Sequence, residues 1–383
     1  MARKPKTAAA NVDIRKGLDG VVVDTTAVSR VVPETNSLTY RGYAVQDLAA
    51  QCSFEEVAYL LWNGELPTRS QLAAFRRDER SRREISKDHI AVIRRFPKDA
   101  HPMDTIRTAV SYLGATEVAW GGGKLEEDRR RAMDLLAKIP TMIATDYRLR
   151  HGKRRIAPRG DLSMSENFFH MCFGTVPPPE VIRAFDISLI LYAEHSFNAS
   201  TFAARVVSST MSDIYSAAVG GIAALKGPLH GGANEAVMHM LLEIGHPKKA
   251  EPWLRKAFRD RKLVMGFGHR VYKWGDSRVP TMRKCLHDLA AWKKDERWVE
   301  IEDVLAQIMV DEKGIHPNLD FPAGPAYYMM GFDIDLFTPI FVMSRITGWT
   351  AHIMEQSADN RLIRPLSTYT GRDQREIPPI SKR

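Results

Sequence analysis

The stretch LFTPIFVMSRITGWTAHIM, residues 336–354, contains the most apolar run of this 383-residue chain. Arg345 and His352 interrupt the run, and it falls short of the roughly 20 apolar residues that a transmembrane helix needs. We therefore predict a buried helix from about Pro339 to Ser357, and we expect no membrane partner.

Helical patterns also dominate the rest of the chain. Ser53 and Glu56 form a capping-box pattern ahead of an apolar helical face. Strand-like composition is limited to the segment from Gly17 to Tyr43, which is rich in Val, Thr, Gly and Pro. Further helices are predicted at residues 177–195, 212–225, 234–262 and 277–313. The fold class is therefore mainly α.

The chain is basic, with a formal net charge of +9 and a sequence pI near 9.4. This charge favours an anionic partner, which could be nucleic acid, a membrane surface or a polyanionic small molecule, and charge alone does not decide among them. The densest basic stretch runs from Arg148 to Arg159 without an acidic residue. It is either a solvated loop or an anion site.

The cysteines and the start of the chain bear on its compartment. Cys52, Cys172 and Cys285 are odd in number and form no CxxC pair, which fits a reducing cytosol. The start MARKPKTAAA is basic but lacks the apolar region of a secretory signal. We expect residues 1–16 to form a disordered basic tail and the protein to be cytoplasmic.

Several common catalytic motifs do not occur in the sequence. It contains no GxSxG elbow, no GxxxxGK[ST] phosphate loop and no HExxH helix. The segment that begins at Gly266 departs from GxGxxG because Val271 stands in place of the third glycine. Serine hydrolase, P-loop NTPase, zincin and Rossmann interpretations therefore lose their main support.

Three polar residues lie in turns that contain Gly or Pro: His230 in KGPLHGG, His269 in GFGHR and Asp320 in NLDFPAG. Such turns bring the backbone close to a ligand, and functional residues concentrate on them. Each histidine could instead be structural. None of the three residues shows the short ligand spacing of a zinc or iron site.

Arg345 and His195 both lie in largely apolar surroundings. A buried guanidinium needs an anionic partner, most naturally a carboxylate bound in bidentate fashion, unless the side chain reaches solvent. His195, in YAEHSFNAST, is close to a predicted helix end, where histidine is often structural. Both positions therefore allow a structural and a ligand-binding interpretation.

The order of the segments is more specific than any one of them. AEHSFNAST, KGPLHGGANE, MGFGHRVYKWGDSR, NLDFPAG, LFTPIFVMSRITGW and IRP follow one another as the signature segments of citrate synthases and 2-methylcitrate synthases do. The resemblance begins near GLDGVVVD and covers nearly everything after residue 17. The chain is thereby identified as a member of the citrate synthase family, most similar to its 2-methylcitrate synthases.

The resemblance implies a citrate-synthase-like, almost wholly helical fold with two domains, in a homodimer with shared active sites. The large domain is expected to comprise residues 17–226 and 331–383. The small domain, residues 227–330, would be inserted between them and close over the substrates. The active site is expected in the cleft between the domains.

The resemblance also implies a catalytic trio. Asp320 would remove a proton from the carbon beside the acyl-CoA thioester, and His230 would donate a hydrogen bond to the developing enolate oxygen. A carboxylate can deprotonate so weak an acid only if that oxygen is stabilised by a placed donor. His269 would hydrogen-bond the ketone of oxaloacetate, and water would finally cleave the thioester.

The substrate-binding residues follow from the same resemblance. The carboxylates of oxaloacetate are expected on Arg278, Arg345 and Arg364, with His195 also in contact and Arg364 supplied by the neighbouring subunit. The coenzyme A pocket is expected to include Leu263, Val264, Met265, Gly266 and Phe267, with Lys273, or else Arg148 or Arg150, near the phosphates. No metal and no tightly bound cofactor is expected.

The acyl donor is the least determined part of the interpretation. DFPAGPAYYMMG resembles methylcitrate synthases more than the DFYS-type segment common in citrate synthases, so we expect propionyl-CoA as substrate and 2-methylcitrate as product. Residues 324–326 are small and could leave room for the extra methyl group, with Tyr327 as a wall. The alternatives are a citrate synthase that uses acetyl-CoA, dual activity, and a basic nucleic-acid-binding helical protein, for which no motif is present.

Overall fold

The structure is a computed structural model that describes residues 14–117, 125–269, 271–272 and 274–383. Within these residues the chain is mostly helical. The first helices are α1 (Val45–Gln51), α2 (Phe54–Asn63), α3 (Arg69–Ser81), α4 (Lys87–Arg94), α5 (Pro102–Thr116), α6 (Leu125–Arg150), α7 (Met164–Phe173) and α8 (Pro179–Tyr192). The others are α9 (Ala199–Ser209), α10 (Ile214–Leu225), α11 (Ala233–Ile244), α12 (Pro247–Arg259), α13 (Val279–Lys293), α14 (Arg297–Lys313), α15 (Asp320–Met330) and α16 (Phe337–Ala358).

A small antiparallel sheet precedes the helices. Its strands are β1 (Ser29–Val32), β2 (Ser37–Tyr40) and β3 (Tyr43–Ala44), paired in that order. The predicted mainly α class and the predicted extended segment near the N-terminus are both confirmed. Of the predicted basic tail, residues 1–13 lie outside the described residues.

Local capping accounts for several helix boundaries. Ser53 and Glu56 form the predicted capping box at the start of α2, and that helix ends at Gly64 in a left-handed conformation. The helix predicted over 234–262 is instead two helices, because Gly245 adopts a φ of 67° and Pro247 starts α12. The pattern over 277–313 likewise breaks between α13 and α14.

Helix α16 is the centre of the core. Every residue from Phe337 to Met354 is buried, and α16 packs against α2, α6, α8, α9 and α10. The helix starts two residues earlier than predicted. Polar contacts tie it to the N-terminal part of the chain: Trp62 Nε1 donates to Thr350 Oγ1 (2.9 Å), and the amide of Ala27 donates to Glu355 Oε1 (2.8 Å).

Gly348 allows α16 to lie directly against the end of α8. A Cβ at this position would be 2.5 Å from the carbonyl oxygen of Ala193 and even closer to the carboxylate of Glu194. Any side chain there would force the two elements apart. This contact fixes the segment that precedes His195.

Helices α11 to α15 pack mainly on one another, through the pairs α11–α15, α12–α14 and α13–α15. They also touch the rest of the chain where α13 meets α8 and α11 meets α16. These helices fall within residues 227–330, for which we predicted a separate domain. No helix in the described part of the chain is long and apolar enough to cross a membrane.

Candidate active site

The C-terminal end of α8 is the point at which the predicted site residues converge. The carbonyl of Tyr192 accepts a hydrogen bond from Arg345 Nε (2.7 Å), and its hydroxyl donates to Asp320 Oδ1 (2.7 Å). Arg278 Nη1 donates to the neighbouring carbonyl of Leu191 (3.3 Å). One helix end therefore brings together residues from α16, α15 and the start of α13.

The three predicted histidines lie around the same point. The rings of His195 and His269 are 5.0 Å apart, and both contact Tyr272, whose hydroxyl is 3.2 Å from His195 Nε2. His230 lies 6.4 Å from the ring of Phe341, one turn before Arg345 on α16. The structure thus brings residues that are far apart in sequence together in one site.

The turn that carries His195 is held by buried polar contacts. Glu194 Oε1 accepts hydrogen bonds from Ser29 Oγ (2.9 Å) and His352 Nε2 (2.8 Å). The amide of Ser196 donates to Ser29 Oγ (2.8 Å), and Ser196 has a left-handed φ of 51°. These contacts over-determine a strained turn and so fix the position of His195.

The turn that carries His269 is bound to the segment that leads into α15. Gly268 N donates to the carbonyl of His316 (2.8 Å), and Asn318 N donates to the carbonyl of Gly266 (2.9 Å). The side chain of Asn318 donates to Gly268 O (2.9 Å) and accepts from the amide of Asp320 (3.1 Å). His269 and Asp320 are therefore positioned by the same pair of segments.

Gly266 is required for this arrangement. Its φ is 81°, and a Cβ would lie 2.8 Å from both Phe321 and Val237. Glycine alone combines this conformation with so close an approach. The conformation accounts for one of the glycines that singled out the turn in the sequence.

Asp320 is the first residue of α15 and a half-buried carboxylate. Burial raises its pKa to about 6, against the hydrogen bond from Tyr192 and the charge of Arg278, which lower it. At neutral pH most molecules therefore carry an ionised Asp320 that is more basic than an ordinary aspartate. These are the properties of a general base.

His230 is a neutral hydrogen-bond donor. Burial and the charge of Arg345 lower its pKa to about 4. Its Nε2 faces the amide of Ser200 (3.3 Å) and the hydroxyl of the same residue (2.8 Å). Because a backbone amide can only donate, Nε2 must be the unprotonated nitrogen, and the proton lies on Nδ1. Nδ1 has no hydrogen-bond partner among the residues that the structure describes.

His269 has the opposite tautomer. Its Nδ1 accepts from the amides of Val271 (3.1 Å) and Tyr272 (3.4 Å), so its proton lies on Nε2. Burial and the charge of Arg278 lower its pKa to about 4, and the same two causes hold the pKa of His195 well below its usual range. All three histidines are therefore uncharged near pH 7.

The two buried arginines differ in how their charge is balanced. Arg278 is bidentate with Asp276, through Nε to Oδ1 (2.9 Å) and Nη2 to Oδ2 (2.7 Å). Arg345 is 1% exposed and bonds only to the carbonyl of Tyr192, and no carboxylate in the described residues lies within ion-pair distance of it. Burial lowers its pKa to about 10, so it remains protonated at pH 7. Arg345 is thus a buried cation that has no carboxylate at ion-pair distance among the described residues, although the charge of the nearby Glu194 raises its pKa.

Other predicted residues are only partly placed. Arg364 is exposed in the segment after α16, and its side chain forms no hydrogen bond or ion pair with the residues that the structure describes. Lys273 lies outside the described residues. Leu263 is exposed, and Phe267 packs on Phe321 at a ring distance of 4.5 Å. Val264 and Gly266 are buried, and Met265 is half-buried. The predicted roles of these residues in binding oxaloacetate and coenzyme A stay predictions.

The sequence interpretation missed several supporting residues. Tyr192 lies within the helix predicted at residues 177–195, but the contact of its hydroxyl with Asp320 was not predicted. Ser200, inside AEHSFNAST, was not predicted as a site residue. Asp276, two positions before Arg278, was not predicted either. Two features of the sequence could have indicated them: a tyrosine at a predicted helix end, and an acidic residue close to a candidate substrate-binding arginine.

No group of three or more His, Cys, Asp or Glu side chains that could hold a metal occurs within the described residues. The cleft combines a basic carboxylate, neutral histidine donors with defined tautomers and an unpaired buried arginine. Together with the helical fold, these features define an acid–base enzyme that acts on an anionic substrate.

Comparisons with known proteins agree with this class. The family model described as "Citrate synthase, C-terminal domain" matches residues 17–366. A 2-methylcitrate synthase of Mycobacterium tuberculosis is 59% identical over 366 residues, covering 96% of this chain and 93% of the relative. A protein of Mycolicibacterium smegmatis named citrate synthase is 60% identical over 364 residues, covering 95% and 97%. The chain belongs to the citrate synthase family.

Solved structures of the family share the fold. Citrate synthase from Thermotoga maritima is 38% identical with a TM-score of 0.88, covering 97% of this chain and 99% of that one. A complex of citrate synthase from Thermoplasma acidophilum with carboxymethyl coenzyme A and oxaloacetate is 34% identical. Its TM-score is 0.92, with 97% and 100% of the chains covered. The predicted family and fold are confirmed.

Proposed function

We propose that the protein condenses propionyl-CoA with oxaloacetate and hydrolyses the thioester, releasing 2-methylcitrate and coenzyme A. The proposal rests on the names of the 59% identical relatives and on the chemistry of the cleft. The observation that carries it is the Asp320 carboxylate, with a pKa of about 6, in the same cleft as two neutral histidine donors and an unpaired arginine.

Oxaloacetate is a dianion, and Arg345 is a buried cation without a direct ion pair to any described residue. A carboxylate of the substrate would supply the missing partner, and a planar guanidinium suits bidentate binding of that group. Arg278 would contribute a second donor while Asp276 fixes its orientation. His195, neutral and buried, would add a hydrogen bond without adding charge.

Deprotonation of the thioester is assigned to Asp320. Its carboxylate takes a proton from the carbon beside the thioester carbonyl, and the electron pair of that C–H bond forms the enolate. The Nδ1–H of His230 donates to the enolate oxygen, where the charge develops. A preorganised donor of this kind contributes roughly 2.7–4 kcal/mol to the stabilisation of a transition state.

Carbon–carbon bond formation follows from the enolate. The enolate carbon attacks the ketone carbon of oxaloacetate, and the electron pair of the C=O bond moves to oxygen. His269 Nε2–H donates to that oxygen and stabilises the alkoxide. Water then attacks the thioester carbonyl, coenzyme A leaves as the thiol, and the free acid product remains.

We propose further that the site is completed by a second copy of the chain and that residues 227–330 close over it. Arg364 is exposed and forms no hydrogen bond or ion pair with the described residues of its own chain, which fits a role in the site of a partner. We place the enzyme in the cytoplasm, in keeping with Cys172 and Cys285, which are buried free thiols.

The small residue Gly324, near Asp320, has a packing role that bears on the acyl donor. A Cβ on Gly324 would lie 2.9 Å from the carbonyl of Asn234, so this glycine serves the contact between α15 and α11. Tyr327 is buried, and its hydroxyl donates to Ser188 Oγ (3.1 Å). The small size of Gly324 is therefore explained by helix packing, and room for the extra methyl group beside Asp320 stays a prediction.

Citrate synthase activity with acetyl-CoA is the second candidate, favoured by the 60% identical relative named citrate synthase. Steady-state kinetics at saturating oxaloacetate distinguish the two. We expect kcat/KM for propionyl-CoA to exceed that for acetyl-CoA by roughly 10- to 200-fold, the usual value of one methylene. Equal or better use of acetyl-CoA would replace the proposed activity by citrate synthesis.

The catalytic assignment is tested with Asp320→Asn. This variant should bind oxaloacetate normally but lose roughly 10²- to 10⁴-fold in kcat. Asp311→Asn, at an exposed position on α14, is the matched control and should retain full activity. A kcat for Asp320→Asn close to that of the wild type would remove Asp320 from the role of base.

A further inference from the structure

The basic stretch that the proposed reaction does not use borders a cavity. This cavity, of about 400 Å³, lies between the end of α4 with the turn that follows it, residues 93–98, and the end of α6 with its following loop, residues 146–155. We call it the α4–α6 cavity. Its volume falls in the range of small-molecule sites.

One side of the α4–α6 cavity is rigidly held. Arg150 donates from Nε to Asp146 Oδ2 (2.6 Å), from Nη1 to the carbonyl of Lys98 (2.9 Å) and from Nη2 to Thr105 Oγ1 (2.9 Å). Among the described residues Asp146 is the one carboxylate that lines the cavity, and Arg150 bonds to it. The two residues therefore neutralise each other and join α6 to the turn after α4.

The remaining cations of the cavity are not balanced. The side chains of Arg94, Lys98, Lys153 and Arg154 have neither an ion pair nor a hydrogen bond with any residue that the structure describes. Arg155 contacts Glu84, but its Nε is buried without a hydrogen-bond partner. A group of unpaired cations around a concave surface concentrates anions there.

The cavity also has an apolar part, formed by Ile93, Phe96 and Leu149. Inorganic phosphate would need neither this surface nor so large a volume. We propose that the α4–α6 cavity binds a nucleoside polyphosphate, with its phosphates on Arg94, Lys98, Lys153 and Arg154 and its base on the apolar part.

This site is separate from the candidate active site. His151 Nε2 lies 2.9 Å from Asp333 Oδ2, so the end of α6 adjoins the residues just beyond the C-terminal end of α15. Asp320 stands at the other end of that 11-residue helix, roughly 16 Å away at 1.5 Å per residue.

Isothermal titration calorimetry of the full chain with ATP tests the proposal, with saturating coenzyme A and oxaloacetate present to fill the candidate active site. We expect one ATP per chain, weaker binding of inorganic tripolyphosphate, and no binding of citrate. Lys98→Glu combined with Arg154→Glu should weaken ATP binding at least about tenfold, because each removes a charge-assisted contact.

Arg69→Glu combined with Arg77→Glu is the matched control. Both arginines are exposed on α3, and the pair changes the net charge equally. Its affinity for ATP should stay within about twofold of the wild type. Equal weakening in both double variants, absence of ATP binding, or tripolyphosphate binding as tightly as ATP would overturn the proposal. Unchanged thermal unfolding of the variants confirms that they fold.

Discussion

Replacement of Tyr192 by Phe isolates one contact of the proposed base. The Tyr192 hydroxyl donates to Asp320 Oδ1 at 2.7 Å, and this hydrogen bond lowers the pKa of Asp320 against the larger effect of burial. The substitution removes the donor and keeps the ring, which lies 4.3 Å from the ring of Phe341. Packing should therefore survive, while the ionised form of Asp320 loses its stabilisation.

The size of the effect follows from the geometry. A hydrogen bond to a charged group contributes roughly 1.5–3 kcal/mol, and 1.36 kcal/mol corresponds to a tenfold change in an ionisation equilibrium. Loss of the bond should therefore move the acid limb of the kcat/KM profile upward by about one to two pH units. In the wild type this limb should fall near pH 6, because burial raises the pKa of Asp320 to about 6.

The assay measures condensation at saturating oxaloacetate from pH 5 to 9, and the rate is monitored through the release of the coenzyme A thiol. The kcat/KM of Tyr192→Phe should be lowered most below pH 7 and should approach the wild-type value near pH 9. Tyr327→Phe is the control, because it removes an equally buried hydroxyl that bonds to Ser188 instead. An acid limb that stays in place in Tyr192→Phe, or that moves equally in both variants, would refute the reasoning.

Three further outcomes are expected. The free energy of unfolding of Asp320→Asn should exceed that of the wild type by about 3 kcal/mol at pH 8 but not at pH 4 in denaturant titrations, because the raised folded-state pKa of Asp320 makes its ionisation destabilising as pH rises from about 4 to 6. Inactive Arg364→Ala chains mixed with inactive Asp320→Asn chains should regain activity, and proven subunit exchange without recovery would contradict a shared site. Ser200→Ala should lower kcat about tenfold or more with little change in the KM for oxaloacetate, because it loosens His230; a rise in KM alone would point to substrate binding instead.

Much of the fold could be predicted because local rules decide it. The capping residues Ser53 and Glu56 act within one turn, and the apolar run around Arg345 can only be buried. The two long patterns after residue 234 were each predicted as one helix. Their periodicity continues through the break, and the left-handed conformations at Gly245 and Lys294 depend on packing that periodicity does not encode.

The candidate site could be predicted in its main residues but not in its support. His230 and His269 stand out because they lie in glycine-bearing turns. Their tautomers cannot be read from the sequence, because they depend on where the amides of Ser200 and Val271 lie after folding. Tyr192 was missed for the same reason, since a helical pattern does not reveal which aromatic hydroxyl will face a carboxylate 128 residues away.

The central position of α16 has a consequence for the chain while it is being synthesised. The amide of Ala27 bonds to Glu355, 328 residues later, and Trp62 bonds to Thr350 on the same helix. At roughly 5–20 residues per second, a ribosome needs roughly 16–66 seconds to make the intervening chain. During that time the faces of α2 and α8 that cover α16 have no partner. The nascent chain therefore exposes this apolar surface until its last long helix emerges.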